Sequence, residues 1–306
     1  MLVFATSDKG GTGRSVTGSN VAYRRALQGS DVCYLDFDFG SPTAGAIFNI
    51  PAVYRGTARG GLHSYLRGQT DDEPVRYDVW TQSDRSTLRG RPPGTGRLVL
   101  IPGDRDGGEF AASPGMVDRC VELLLRLEEE FDLSIVDLSA GRSYATEIAL
   151  AVTADPRLRE VSSRWLVFHR WTRQHIIAAA GLVYGERGLL EAGAARGHDR
   201  QELTERIRFI RTAVVDPSSP ELVGLRPEQG AWLRECNRVL QTLASSSGVG
   251  RSLLLAEVPL EPVLQWHERL ITDHDVHVQR IANAQTVEAF QEIAKRLTED
   301  TAWETL

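Results

Sequence analysis

Short apolar runs alternate with longer amphipathic stretches along this chain. Residues 2–5, 31–35, 98–101, 131–137, 164–169, 206–215 and 252–258 each carry a compact apolar block. Blocks of that length, apolar on consecutive positions, are the pattern of strands buried on both faces of a parallel sheet. The stretches between them carry apolar residues at helical spacing. In residues 15–28 the inner face would be Val16, Val21, Ala22 and Ala26, with Gly29 as the stop. From Ser113 or Pro114 the apolar side is Val117, Val121, Leu124, Leu125 and Leu127. Further helices are expected over residues 172–184, 227–244, 262–272 and 286–297, with polar helical cover over 185–206. Strand and helix in regular alternation predict an α/β fold, a doubly wound, mostly parallel β-sheet flanked by helices.

The 306 residues are read as a single domain, with surface insertions near 51–96 and 185–251. Within the first, residues 61–68 are compatible with a short helix and 76–81 with a short strand. A mobile, arginine-rich surface loop is expected over about 82–96. Pro217, Pro220 and Pro227 mark the second.

Composition narrows the function classes. Apolar residues make 42% of the chain and charged residues 25%, ordinary for a globular protein. The net charge of −6 gives no global attraction to nucleic acid or anionic membrane. No run approaches a membrane span, and Cys33, Cys120 and Cys236 are far apart, which fits a reducing, cytoplasmic setting. Basic positions are almost all arginine: of 35, only Lys9 and Lys295 are lysine.

Lys9 stands in the stretch with the strongest chemistry. After the first apolar block comes Lys9-Gly10-Gly11-Thr12-Gly13-Arg14-Ser15, then a helix. Glycines let the backbone curl until successive N–H groups face an anion, and the new helix adds its positive end. Two later blocks end in acids, Asp36-Phe37-Asp38 and Asp137 followed by Gly141. Sites in open parallel sheets gather beyond the strand ends. The cluster Asp273-His274-Asp275-Val276-His277 offers metal-ligating types, but a polar helix-to-loop transition explains it as simply. His169, Trp171 and His175 follow a strand end and read first as junction packing.

These motifs, in this order, resemble the ParA/MinD family of deviant Walker A P-loop ATPases. The loop is similar to KGGxGK[ST], Leu35 to Asp38 to an apolar strand ending DxD, and Phe131-Asp132 through Asp137 to Gly141 to FDxxxxDxxxG. Glu257-Val258-Pro259 and residues 282–295 match the family's closing turn and helix. The resemblance implies a P-loop NTPase fold with ATP and Mg²⁺ as cofactors. It places nucleotide on Gly10, Gly11, Thr12, Gly13, Arg14, Ser15, Val16 and Pro259. It gives Ser15, Asp36 and Asp137 to Mg²⁺, Asp38 to the attacking water, Gly141 to a switch, and Lys9 to the nucleotide of a second subunit. The implied assembly is a homodimer closed over ATP that positions or assembles a macromolecular cargo. A protein partner is expected, non-specific DNA stays open as a further partner, and no membrane anchor is expected because no basic amphipathic C-terminal helix is present.

The chain departs from the pattern at Arg14, where the family has lysine. Arg14 is read with Lys9 and Asp38 as catalytic, and three outcomes stay open: a tolerated exchange, a slow or inactive ATPase that still binds nucleotide, or lost binding. The alternative function is accordingly a nucleotide-binding adaptor in a larger assembly. At 211–212 an Arg-Thr pair stands where family members often place an adenine-reading Asn.

Overall fold

A computed structural model of the chain describes residues 1–105, 107–216 and 224–304. Pro217 and Pro220, and the last two residues of the acidic C-terminus, lie outside these.

The apolar blocks form one eight-stranded sheet. Its strands are β1 (Leu2–Thr6), β2 (Val32–Phe37), β3 (Tyr77–Asp78), β4 (Leu98–Ile101), β5 (Leu133–Leu138), β6 (Ser163–Arg170), β7 (Ile207–Val214) and β8 (Leu254–Pro259). The order across the sheet is β3-β4-β2-β5-β1-β6-β7-β8. All pairs are parallel except β3 with β4, a two-residue antiparallel edge. The chain order reverses around β1, so the loop after β1 opens at a topological switch point.

Side chains alternate between two cores. Leu2, Phe4, Leu35, Phe37, Val136, Leu138, Trp165 and Val167 face helices Pro114–Glu130, Tyr144–Thr153 and Arg173–Tyr184. Val3, Ala5, Tyr34, Ile135, Leu166, Phe168 and Ile210 face α1 (Arg14–Leu27) and the closing helix Ala284–Arg296. Burial on both faces is why the strands read as continuous apolar runs. Trp165, Phe168 and His169 are buried in this packing, and Trp171 is buried in a separate small cluster with Ile176 and Ala244.

Three expectations change. The stretch 262–272 is helical only at Val263–Trp266. Beyond it, Asn20 of α1 accepts from Ile271 N (2.7 Å) and donates to Arg269 O (3.0 Å), while Arg24 donates to Ile271 O (2.6 Å). Those side chains hold the backbone extended along α1, and a local helical pattern cannot override them. Residues 76–81 form β3 and then a helical turn, Val79–Gln82, because Asp78 caps it by accepting from Thr81 N (3.1 Å). The 82–96 stretch is pinned: Trp80 donates to Gly96 O (3.0 Å), and Leu88 and Ser83 are buried. Its arginines are spent internally, Arg85 on Asp275, Arg89 on Asp84 and Arg91 on Thr95 O. The His274 cluster is likewise structural: Asp273 pairs with Arg24, and Asp275 completes a capping box with Thr272.

Candidate functional site

The loop between β1 and α1 needs two left-handed residues, Gly11 (φ 70°) and Gly13 (φ 75°). A side chain at either position would be strained. Gly13 sits at the start of α1 with no side-chain cap, so the first-turn N–H groups have no side-chain acceptor. Such a helix end favours an anion. Thr212 Oγ1 of β7 donates to Thr12 O (2.6 Å), and Gly141 N donates to Ser7 O (2.7 Å), fixing the loop from both sides. Gly141 is itself left-handed (φ 80°).

Beside the loop, at the C-terminal ends of β6, β7 and β8, lies an open cleft of about 240 Å³. Gly11, Thr12, Gly13, Val16 and Pro259 line it, joined by Thr212. The structure thus gathers five of the expected nucleotide positions around one cavity. Arg14 and Ser15 lie on the other side of the loop, toward the acids, and Gly10 is exposed. Arg211 does not enter the cleft. Strand alternation turns it to the opposite face, where it pairs with Glu257 (2.7 Å) and lies 4.0 Å over the Trp171 ring. Its neighbours Thr212 and Ala213 face the cleft instead, and an irregularity in the β7–β8 pairing leaves Ala213 left-handed (φ 52°).

The acids converge as the strand register demands. Asp36 and Asp137 are direct neighbours across β2 and β5 and point to the α1 side. Arg14, the first residue of α1, reaches into the same space. Its Nε donates to Asp137 Oδ1 (2.5 Å) and its Nη2 to Asp38 Oδ2 (2.9 Å). The same Nη2 lies 3.3 Å from Ser15 Oγ, and Nη1 lies 3.4 Å from Ser7 Oγ. Tyr34 Oη donates to the other oxygen of Asp137 (2.8 Å). Both oxygens of Asp36 accept backbone N–H groups, from Asp38 (3.3 Å) and Ala44 (2.9 Å).

Charge follows from that packing. Burial opposes the Arg14 cation, but Asp137 and Asp38 more than offset it and hold its pKa above the ordinary value. Burial, then the charge of Asp137, pushes Asp36 well above the usual carboxylate range. Asp38 is raised by burial and by Asp137, against the pull of Arg14. Lys9 is exposed on the outer rim and makes no ion pair among the described residues.

The positions expected to hold Mg²⁺ do not fit a divalent ion in this arrangement. A guanidinium fills the space between Ser15, Asp38 and Asp137, and Asp36 is turned to backbone donors. Sequence reasoning missed Tyr34 as a site-building residue and placed Thr212 only in the base-reading region, not as the tether of the loop. Tyr34 is two residues before Asp36 on the same face of β2, which was the available signal.

A sheet of this order, with a glycine loop leading into a helix beside strand-end acids, defines a P-loop nucleotide-binding fold. No protein-family profile matches the chain, and no curated protein matches it in sequence. Solved structures do match. The MinC:MinD cell division complex of Aquifex aeolicus is 16% identical with a TM-score of 0.61, over 97% of this chain and 95% of that one. The septum site-determining protein MinD of Pyrococcus horikoshii, complexed with Mg-ADP, is 15% identical with a TM-score of 0.55, over 98% of each chain. The pNOB8 ParA bound to nonspecific DNA is 16% identical with a TM-score of 0.54, over 96% of each. The fold is that of the ParA and MinD ATPases.

Proposed function

We propose that this chain is a nucleotide-binding protein of the ParA/MinD kind, in which two copies close over ATP and the dimer positions or assembles a macromolecular cargo. The observation that carries the reading is the cradle: two left-handed glycines, the uncapped start of α1 and the adjoining cleft. In it, amides of residues 10–15 would hold the phosphates, and Val16, Thr212 and Pro259 would bound the rest of the nucleotide. Lys9, exposed and outside any intramolecular ion pair among the described residues, is free to reach a second subunit. Gly141, bonded to Ser7 at the base of the loop, would couple phosphate occupancy to the segment after β5.

Protein is the partner class this reading favours, in keeping with a MinC:MinD complex on the same fold. Nonspecific DNA is the second class, as for the pNOB8 ParA. No helix among the described residues is long and apolar enough to cross a membrane.

One contact favours a specific form of this function. Asp38, the residue assigned to the attacking water, accepts from Arg14 instead. With the guanidinium on Oδ2 at 2.9 Å, a water reaches that oxygen to pass on its proton only when the contact opens. The reading it supports is a slow or inactive ATPase acting as a nucleotide-held scaffold. Light scattering with and without ATP tests dimerisation, and phosphate release tests turnover. A nucleotide-dependent dimer with negligible release is expected. A monomer at saturating ATP refutes the dimer, and release at ordinary ATPase rates refutes the scaffold form.

A further inference from the structure

We propose that Arg14 takes the place of the divalent ion in this site, so that the loop takes up a nucleoside di- or triphosphate without magnesium. The inference rests on the nucleotide-binding reading above and specifies the counter-charge of that site.

The geometry is that of a bound cation. One buried positive group touches two carboxylates, at 2.5 Å and 2.9 Å, and lies 3.3 Å from the hydroxyl of the residue that follows the loop. Those three groups are the ones the sequence resemblance makes into metal or catalytic ligands. A planar fork carries its donors on separate nitrogens, so Nε meets Asp137 while Nη2 meets Asp38 and lies near Ser15; a lysine ammonium would have to serve all three from one nitrogen on a shorter side chain. Arginine at position 14 therefore occupies both carboxylates without drawing them together.

The surroundings are built for one resident cation rather than two added charges. Asp137 has a donor on each oxygen, Arg14 on one and Tyr34 on the other. Asp36 has a backbone N–H on each oxygen. An incoming Mg²⁺ would have to break the Arg14–Asp137 pair and leave the guanidinium buried beside a dication. The remaining anion-binding capacity, loop amides and the start of α1, is independent of any metal. The composition also bears on this: the chain writes nearly every basic residue as Arg, but only at position 14 does that exchange put a guanidinium between the site's acids.

The test is equilibrium binding of ATP and of ADP to the full chain by calorimetry, in millimolar Mg²⁺ and in EDTA. The wild type is expected to bind with Kd values that agree within about threefold in the two conditions. Arg14→Lys, checked for folding by circular dichroism, is expected to become metal-dependent, with binding about tenfold or more weaker in EDTA. A wild type that weakens about tenfold on chelation overturns the inference and leaves the nucleotide reading intact. Absence of binding in both conditions overturns the nucleotide reading, and the inference with it.

Discussion

Arg14→Ala removes the guanidinium from between Asp137 and Asp38. The two acids then face different fates. Asp38 is 27% exposed, so water screens much of its charge. Asp137 is 1% exposed and keeps only the Tyr34 hydroxyl. Breaking a buried ion pair from one side costs about 3–5 kcal/mol, because the remaining charge is left without compensation. With Asp38 contributing little, about 3 kcal/mol is the expected loss. In a chain of this size that lowers Tm by roughly 6 °C, at about 2 °C per kcal/mol. Urea and thermal unfolding at neutral pH measure it. Two controls separate the pair from simple loss of side-chain packing. In an Asp137→Asn background the same truncation is expected to cost less than half as much, the coupling a double-mutant cycle reads. Millimolar Mg²⁺ is expected to raise the Tm of Arg14→Ala but not of the wild type, since the carboxylates and Ser15 are then open to an ion. An equal loss in both backgrounds, or a Mg²⁺ effect on the wild type alone, refutes the reasoning.

Three further outcomes follow from other contacts. Burial pushes His169 down to about 4 from 6.5, so between those values the unfolded chain binds a proton that the folded chain refuses. Stability therefore falls as pH drops through that window. Relative to His169→Phe, the wild type is expected to lose roughly 2 kcal/mol between about pH 7.5 and 5, read by urea unfolding; no difference refutes it. Thr212→Val deletes the 2.6 Å tether to Thr12 O, and at about 1 kcal/mol it is expected to raise the nucleotide Kd roughly fivefold; an unchanged Kd in calorimetry counts against Thr212 holding the loop. Lys9→Ala is expected to leave Tm unchanged, since Lys9 is exposed, while weakening ATP-dependent dimerisation about tenfold or more by light scattering. Dimerisation equal to wild type removes Lys9 from the interface.

Much of this architecture is legible in the chain because buried parallel strands write themselves as apolar runs. The loop, the strand-end acids and their order follow from that frame. What the sequence did not show is where side chains from distant elements meet. Arg14 reads as a substitution inside a loop, yet its meaning lies in Asp137, 123 positions away. Arg211 sits in the base-reading region by sequence, but strand alternation turns it to Glu257 and Trp171. The extended stretch after Trp266 depends on Asn20 and Arg24, which no local pattern near residue 270 reports. The aspartates beside His274 and His277 look like metal ligands in line, and prove to be a cap and two arginine anchors. In each case a long-range polar contact decided the outcome.

A crystal structure of the chain grown with ADP or a non-hydrolysable ATP analogue and millimolar Mg²⁺ tests the central claim most directly. Phosphates are expected on the amides of residues 10–15, with the Arg14 guanidinium still against Asp137 and no metal between Ser15 and that acid. A hydrated divalent ion at that position with Arg14 swung away, or a loop without nucleotide, contradicts it.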